Sequence, residues 1–313
     1  MIKRICVFGT GGIGGYMAAH LISAKTIDPG NETYVTCVAR GKTLEVLREK
    51  GLSFRKPGGK EAVYRPDFAT DNAAALPEQK LIVLCVKGYD LTAACEAIRP
   101  LITPETKILP LLNGIDIYER IRRLITTGLI LPACIYIASS IQAPGSVVHS
   151  GGQGNIIAGA DPRHKDYNPA LLASLMAAAG IPFVWEADPF PALWTKYFFI
   201  ASYALVTGLS GKSFGQILED KDLSASVMEI LKEIHAIAAA KGVKLPESLI
   251  QKSYESAGNF PYEATTSYAR DLQVPGKPNE ADLFGGTILR LGEETGVPTP
   301  ATKAIYEAIL KKA

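Results

Sequence analysis

The chain opens on a short β-prone run, Ile2-Lys3-Arg4-Ile5-Cys6-Val7-Phe8, that stops at Gly9-Thr10-Gly11-Gly12-Ile13-Gly14-Gly15. From Tyr16 to Ile22 the apolar residues return with helix-compatible spacing. Further β-rich runs cover residues 33–39, 81–86 and 107–112. The second of these is continuously apolar, as a parallel strand covered on both faces requires. Residues 129–185 read as more strands, with loops at Pro144-Gly145 and Gly151-Gly152-Gln153-Gly154 and one helical run over 169–179. The uncharged stretch 124–148 is interrupted by Gly128, Pro132, Ser139-Ser140 and Pro144-Gly145, and is expected to be a buried strand between turns.

After Asp188-Pro189-Phe190-Pro191 the texture changes. Helical periods predominate, over residues 192–209, 224–241, 247–254, 282–295 and 301–312. The pattern predicts two domains, 1–187 with parallel strands and helices and 188–313 all helical. The cleft between such domains is the expected active site.

Composition narrows this reading. A length of 313 residues suits two domains, each with its own core. Lys and Arg number 33 against 31 Asp and Glu, with no basic run, so the chain lacks the electrostatic footprint of a nucleic-acid binder. The five cysteines are scattered, without C-x-x-C spacing, which points away from a disulfide framework or metal site and toward a reducing cytoplasm. No secretory signal is visible, and no apolar run is long and unbroken enough to predict a membrane span.

Chemistry concentrates at a few positions. Strand, glycine turn and helix in succession are the context that makes Gly9-x-Gly11-x-x-Gly14 a dinucleotide-binding signal. Gly9 permits the tight turn, Gly11 a close approach of backbone to a pyrophosphate, and Gly14 the packing of helix on strand. Thr10, Gly12 and Ile13 complete the phosphate-binding turn, and the new helix offers N–H groups and its positive dipole end. The strand 33–39 ends not in the acid usual for NAD but in Arg40-Gly41-Lys42, which suits a 2′-phosphate and predicts NADPH. Lys87 and Asn113, each just beyond a strand end, are placed at the same crevice. His149 has no evident partner acid or nucleophile and is expected to be structural.

In the helical half, Lys196 is the only charge in the otherwise apolar run 193–206. Such a lysine either snorkels to a surface or lines a cleft as a general acid or anion anchor. A polar, hydroxyl-rich stretch spans 262–271, and Glu280 and Asp282 stand where a helix begins. Capping that helix is their simplest role. A carboxylate reaching toward Lys196 would supply the partner a buried ammonium needs.

Taken together these residues resemble the ketopantoate reductase (2-dehydropantoate 2-reductase) family along nearly the whole chain. The matching pieces are Gly9-x-Gly11-x-x-Gly14, Val86-Lys87, Asn113-Gly114, Pro144-Gly145-x-Val147-x-His149-x-Gly151-x-x-Gly154, Leu193-Trp194-x-Lys196, Ser267-x-x-x-Asp271, Asn279-Glu280-x-Asp282 and Gly296-Val297-Pro298-Thr299-Pro300. The resemblance implies an N-terminal Rossmann domain and a helical domain that reduce 2-dehydropantoate to (R)-pantoate with NADPH, in pantothenate synthesis. By position it makes Lys196 the catalytic general acid and Glu280 a catalytic contact to substrate. Lys87, Asn113 and Ser267 become substrate contacts. Arg40 falls at the 2′-phosphate, and Lys87, Asn113 and Glu280 also line the cofactor.

Family members commonly carry asparagines four and eight residues after the lysine, where this chain has Ile200 and Ala204. A related 2-oxo acid, another NADP-dependent dehydrogenase chemistry, or a non-catalytic NADPH-binding protein therefore stay open as alternatives, and so does a homodimer. No metal is expected.

Overall fold

A computed structural model of the chain describes residues 2–27, 33–274 and 276–312; Met1, residues 28–32, Pro275 and Ala313 lie outside the described residues. Two compact units result. One comprises Met1–Leu112 with Ile117–Pro189, and the other comprises Asn113–Asp116 with Phe190–Ala313.

The first unit begins with β1 (Arg4–Phe8), α1 (Gly12–Ile27), β2 (Tyr34–Val38) and α2 (Gly41–Glu49). Then come β3 (Leu52–Arg55), β4 (Glu61–Tyr64), β5 (Phe68–Thr70), β6 (Leu81–Leu84) and α3 (Leu91–Ile98). They are followed by β7 (Lys107–Pro110), α4 (Ile117–Leu124), β8 (Leu129–Ile130) and β9 (Ala133–Ala143). The unit closes with β10 (Ser146–Gly159), α5 (Ala170–Ala178) and β11 (Phe183–Glu186). Six strands form a parallel sheet in the order β5-β2-β1-β6-β7-β8. A second sheet runs β11-β10-β3-β4, with β9 antiparallel to β10.

Helix α1 belongs to the cores of both sheets. Its residues from Gly14 to Ile22 are all buried, and Met17, Ala18 and Leu21 share one apolar cluster with Ile5, Val7 and Val35 of the first sheet and Phe54, Val147 and Ile156 of the second. A helix covered all round needs apolar residues all round, which explains the lack of charge from Gly12 to Ala24. His149 is structural: it is buried, its Nε2 lies 2.7 Å from the Gly152 carbonyl oxygen, and its ring meets Tyr16 edge-on at 5.4 Å.

The stretch expected to be one buried strand over 124–148 is instead the end of α4, the short β8, and β9 with the start of β10. Tyr136 and Ile141 are exposed, so β9 is uncharged without being buried. The strands β3, β4 and β5 are three or four residues each, too short for a periodic signal.

Among its described residues from Phe190 on, the regular secondary structure of the second unit is all helical. It contains α6 (Phe190–Ser210), α7 (Phe214–Glu219), α8 (Lys221–Ala240), α9 (Ser248–Glu255), α10 (Ser267–Leu272), α11 (Thr287–Thr295) and α12 (Pro300–Lys312), with a π-helical turn at Asp282–Gly286. Helix α6 is the central element, burying Leu193, Trp194, Tyr197, Phe198 and the whole run Ala201–Thr207. Glu233 of α8 accepts the backbone N–H of Ala301 at 2.7 Å and of Thr302 at 3.0 Å, and so caps α12 from another helix. The polar stretch 262–271 leads into α10, begun by Thr266, whose hydroxyl accepts the Ala269 N–H at 3.1 Å.

Candidate active site

In the first unit the glycine turn is shaped by close backbone approach. Gly9 has φ +90, and a Cβ there would come within 2.8 Å of the Cys85 carbonyl oxygen at the end of β6. A Cβ on Gly14 would collide with the Gly9 carbonyl oxygen, so the helix packs on the turn only because residue 14 is glycine. Ser139 of β9 donates to the Gly12 carbonyl oxygen at 2.9 Å and steadies the start of α1.

Gly11 is different. A Cβ there would meet nothing nearer than Ile141 Cδ1 at 3.9 Å. The N–H groups of the first turn of α1 have no intrahelical acceptor. Space at Gly11, donors beside it and the helix dipole behind it fit the pyrophosphate of a dinucleotide. Thr10 is buried within the turn, and Ile13 is half-buried on the first turn of α1.

At the end of β2 the Ala39 N–H donates to the Thr70 carbonyl oxygen at 3.0 Å, and Arg40 follows in extended backbone as the residue before α2. Its guanidinium donates to Asp90 Oδ2 at 3.1 Å, with side-chain exposures of 75% and 31%. Lys42 is taken by Glu45 at 2.7 Å. No acid stands beside Arg40 in the chain, but the fold brings one there. Lys87 is half-buried at the end of β6, immediately before the short turn Gly88–Asp90.

In the second unit Lys196 is half-buried on α6, and its Nζ donates to Asn113 Oδ1 at 3.1 Å. Asn113 is held through the rest of its short segment. Arg290 donates to Asp116 Oδ2 at 3.2 Å and to Asp282 Oδ1 at 2.6 Å, and Thr287 Oγ1 lies 3.4 Å from the Asp116 carboxylate. Asp282 is therefore an ion-pair partner as well as an early helical acid.

Glu280 is only 4% exposed, and the carboxylate is a buried group of the unit rather than a solvated cap. The Asn279 side chain takes the capping role instead, accepting the Ala281 N–H at 2.9 Å. Ser267 is exposed as the first residue of α10. Ile200 and Ala204 continue the Lys196 face of α6 at helical spacing. Three and four residues further along, Thr207 meets the Thr266 hydroxyl at 2.7 Å and Gly208 lies under the Tyr268 ring.

Three residues here escaped sequence reasoning. Asp90 lies 50 positions from Arg40, and Arg290 lies 174 positions from Asp116, with no motif to connect either pair. Tyr268 is 1% exposed and its hydroxyl has no hydrogen-bond partner among the described residues. Burial, and then the nearby Tyr306 and Glu280, push its phenol upward, so it remains a protonated donor at neutral pH.

Among the described residues no group of three or more His, Cys, Asp and Glu is placed to hold a metal ion, and no helix is long and apolar enough to cross a membrane.

Comparison with known proteins decides the family. Residues 5–163 match the model of ketopantoate reductase PanE/ApbA, and residues 190–313 match that of its C-terminal domain. The chain belongs to the ketopantoate reductase family. Within it, the chain is 27% identical to a 2-dehydropantoate 2-reductase of Mesorhizobium japonicum, over 99% of this chain and 98% of that one. The crystal structure of a PanE/ApbA family ketopantoate reductase from Ralstonia eutropha superposes with a TM-score of 0.86 at 26% identity, covering 99% of this chain and 98% of the other. The ketopantoate reductase fold also extends to a D-mandelate dehydrogenase solved with NADH and anilino(oxo)acetate, with TM-score 0.86, 20% identity, and 99% and 98% coverage.

Proposed function

We propose that this ketopantoate reductase family member reduces 2-dehydropantoate to (R)-pantoate with NADPH, a step of pantothenate synthesis in the cytoplasm. The observation that carries this reading is the half-buried Lys196 ammonium on an otherwise uncharged helix, aimed by Asn113 at 3.1 Å. The glycine turn from Gly9 to Gly14 is the seat of the dinucleotide, and Arg40 supplies the cation for its 2′-phosphate. When bound, the nicotinamide supplies the hydride.

The protein's residues do the remainder. Lys196 donates a hydrogen bond to the carbonyl oxygen of the 2-oxo acid and gives it a proton as negative charge develops there, a contribution of about 10²–10⁴-fold. Asn113 holds Nζ in place, and Glu280 receives the substrate hydroxyl. Ser267 and Lys87 are assigned to the carboxylate and to the cofactor-facing side. The odd number and scattered spacing of the five cysteines are what support a reducing compartment.

One observation favours a second substrate. Ile200 and Ala204 leave the Lys196 face of α6 without a hydrogen-bonding side chain at those positions. A 2-oxo acid whose side chain is purely apolar loses nothing there, whereas a hydroxylated one gains no partner. The deciding measurement is steady-state oxidation of NADPH with 2-dehydropantoate, its analogue lacking the 4-hydroxyl, and phenylglyoxylate. A kcat/KM for 2-dehydropantoate at least tenfold above the others supports the first reading, and the reverse order supports the second. No reduction of any 2-oxo acid would refute both.

A further inference from the structure

We propose that Asp90 is a cofactor-specificity residue, a carboxylate set at the ribose 2′ position that pulls the site toward NADH and tempers the NADPH preference set by Arg40. This rests on the reading above that the Gly9–Gly14 turn seats the dinucleotide.

The argument starts from strand order. β2 and β6 lie on either side of β1, so a contact from Arg40, after β2, to Asp90, after β6, passes across the end of β1 where the glycine turn lies. The ribose 2′ group of a dinucleotide on such a turn belongs at the end of β2. The Asp90 carboxylate is therefore in hydrogen-bond contact with the very guanidinium that would receive a 2′-phosphate.

Both partners are placed by backbone. Arg40 follows the Ala39–Thr70 bond, and the Asp90 N–H donates to the Lys87 carbonyl oxygen at 2.9 Å. Asp90 precedes α3, yet its side chain makes no cap hydrogen bond to that helix. The carboxylate is committed to Arg40 instead. Lys42, the other cation of this strand end, pairs with Glu45 at 2.7 Å on the exposed surface of α2, whereas Arg40 is the one that meets Asp90.

The consequence is electrostatic. A 2′-phosphate must share or break the Arg40–Asp90 pair and then sit beside a like charge. A 2′-hydroxyl can donate to the same carboxylate without disturbing it. An arginine read along the chain predicts NADPH; the pair read in the fold predicts a site that serves both nucleotides.

The test is direct binding of NADPH and of NADH, followed by nucleotide fluorescence, to the full chain and to Asp90→Asn, with kcat/KM for each nucleotide as a second readout. Asp90→Asn is expected to tighten NADPH and weaken NADH, moving the ratio of their dissociation constants about tenfold toward NADPH. A ratio that stays within twofold of the parent overturns the role of Asp90. Gly11→Val separates this from the underlying reading, because filling the turn should abolish binding of both nucleotides while the melting temperature holds. If Gly11→Val binds both as the parent does, the turn is not the seat of the dinucleotide, and the proposal falls with it.

Discussion

Lys196 and Asn113 are 83 residues apart in the chain, and the lysine Nζ donates to the asparagine Oδ1 at 3.1 Å. The bond leaves an ammonium with a defined direction on a helix that offers no other charge. Replacing Lys196 by Ala is expected to lower kcat by about 10²–10⁴-fold while nucleotide binding persists, because the lost group acts on the developing alkoxide. Steady-state rates alongside a fluorescence titration of NADPH check this; near-normal turnover would remove Lys196 from the role of acid.

Arg290 reaches the same asparagine indirectly, through Asp116 at 3.2 Å. Its side chain is 42% exposed, so the pair contributes little to stability, on the order of 1 kcal/mol or less. The expected phenotype of Arg290→Met is a tenfold or greater fall in kcat with the melting temperature shifted by only a few degrees. Arg290→Lys should recover part of the rate by restoring a cation beside Asp116. A loss confined to KM, or no recovery with lysine, would argue against a positioning role.

The glycine turn makes a contrast within one motif. A Cβ at Gly14 collides with backbone that cannot move aside, and Gly14→Ala is expected to cost about 3 kcal/mol of stability. Gly11 faces open space, and Gly11→Ala should change stability by less than about 1 kcal/mol while weakening nucleotide binding. Urea unfolding and NADPH titration of the two variants measure both effects. Equal stability losses would contradict the geometry.

Acid sensitivity follows from the buried pair of Arg122 and Asp161 in the first unit, whose side chains are 4% and 0% exposed. Burial opposes ionisation of Asp161, but the N–H groups of Arg163 and Ile130, the Tyr118 hydroxyl and the Arg122 guanidinium together hold its carboxyl below the ordinary range. A carboxyl lowered in the folded state adds stability above its unfolded value of about 4, and that contribution is lost as pH falls below about 4 through the folded value. Asp161→Asn should destabilise the protein by about 3–5 kcal/mol at pH 7, by leaving Arg122 buried without its counter-charge. It should also flatten the loss of stability toward acid. A variant as acid-sensitive as the parent would place the acid limb elsewhere.

Much of the fold was legible along the chain because its strongest signals are local. Strand, glycine turn and helix at residues 2–22 lie within one stretch, and a largely buried helix declares itself by long uncharged runs, as α1 does from Gly12 to Ala24 and α6 does on either side of Lys196. The short strands β3 to β5 and the six-residue helices α7 and α10 carry too few residues for a period to emerge. A partial exception is α7, whose Ser213 and Gln216 form a reciprocal cap at its start, a four-residue pattern readable without the structure. Glu233 shows the opposite case: the cap of α12 lies 69 positions away from Thr302, out of reach of any local rule.

The candidate site divides along the same line. Sequence alone determined which residues carry charge into apolar surroundings, Lys196 above all, and where a phosphate could meet bare backbone. It also placed Arg40 at a strand end with no acid in sight. Only the tertiary structure put Asp90 against that arginine, Asn113 on Lys196, and Arg290 on the segment holding Asn113. Local periodicity comes from backbone geometry within a few residues, whereas a charge pair depends on strand order and on which helix faces meet. Those are decided by packing the whole chain, and they determine whether a cation waits for a phosphate or is already answered by a carboxylate.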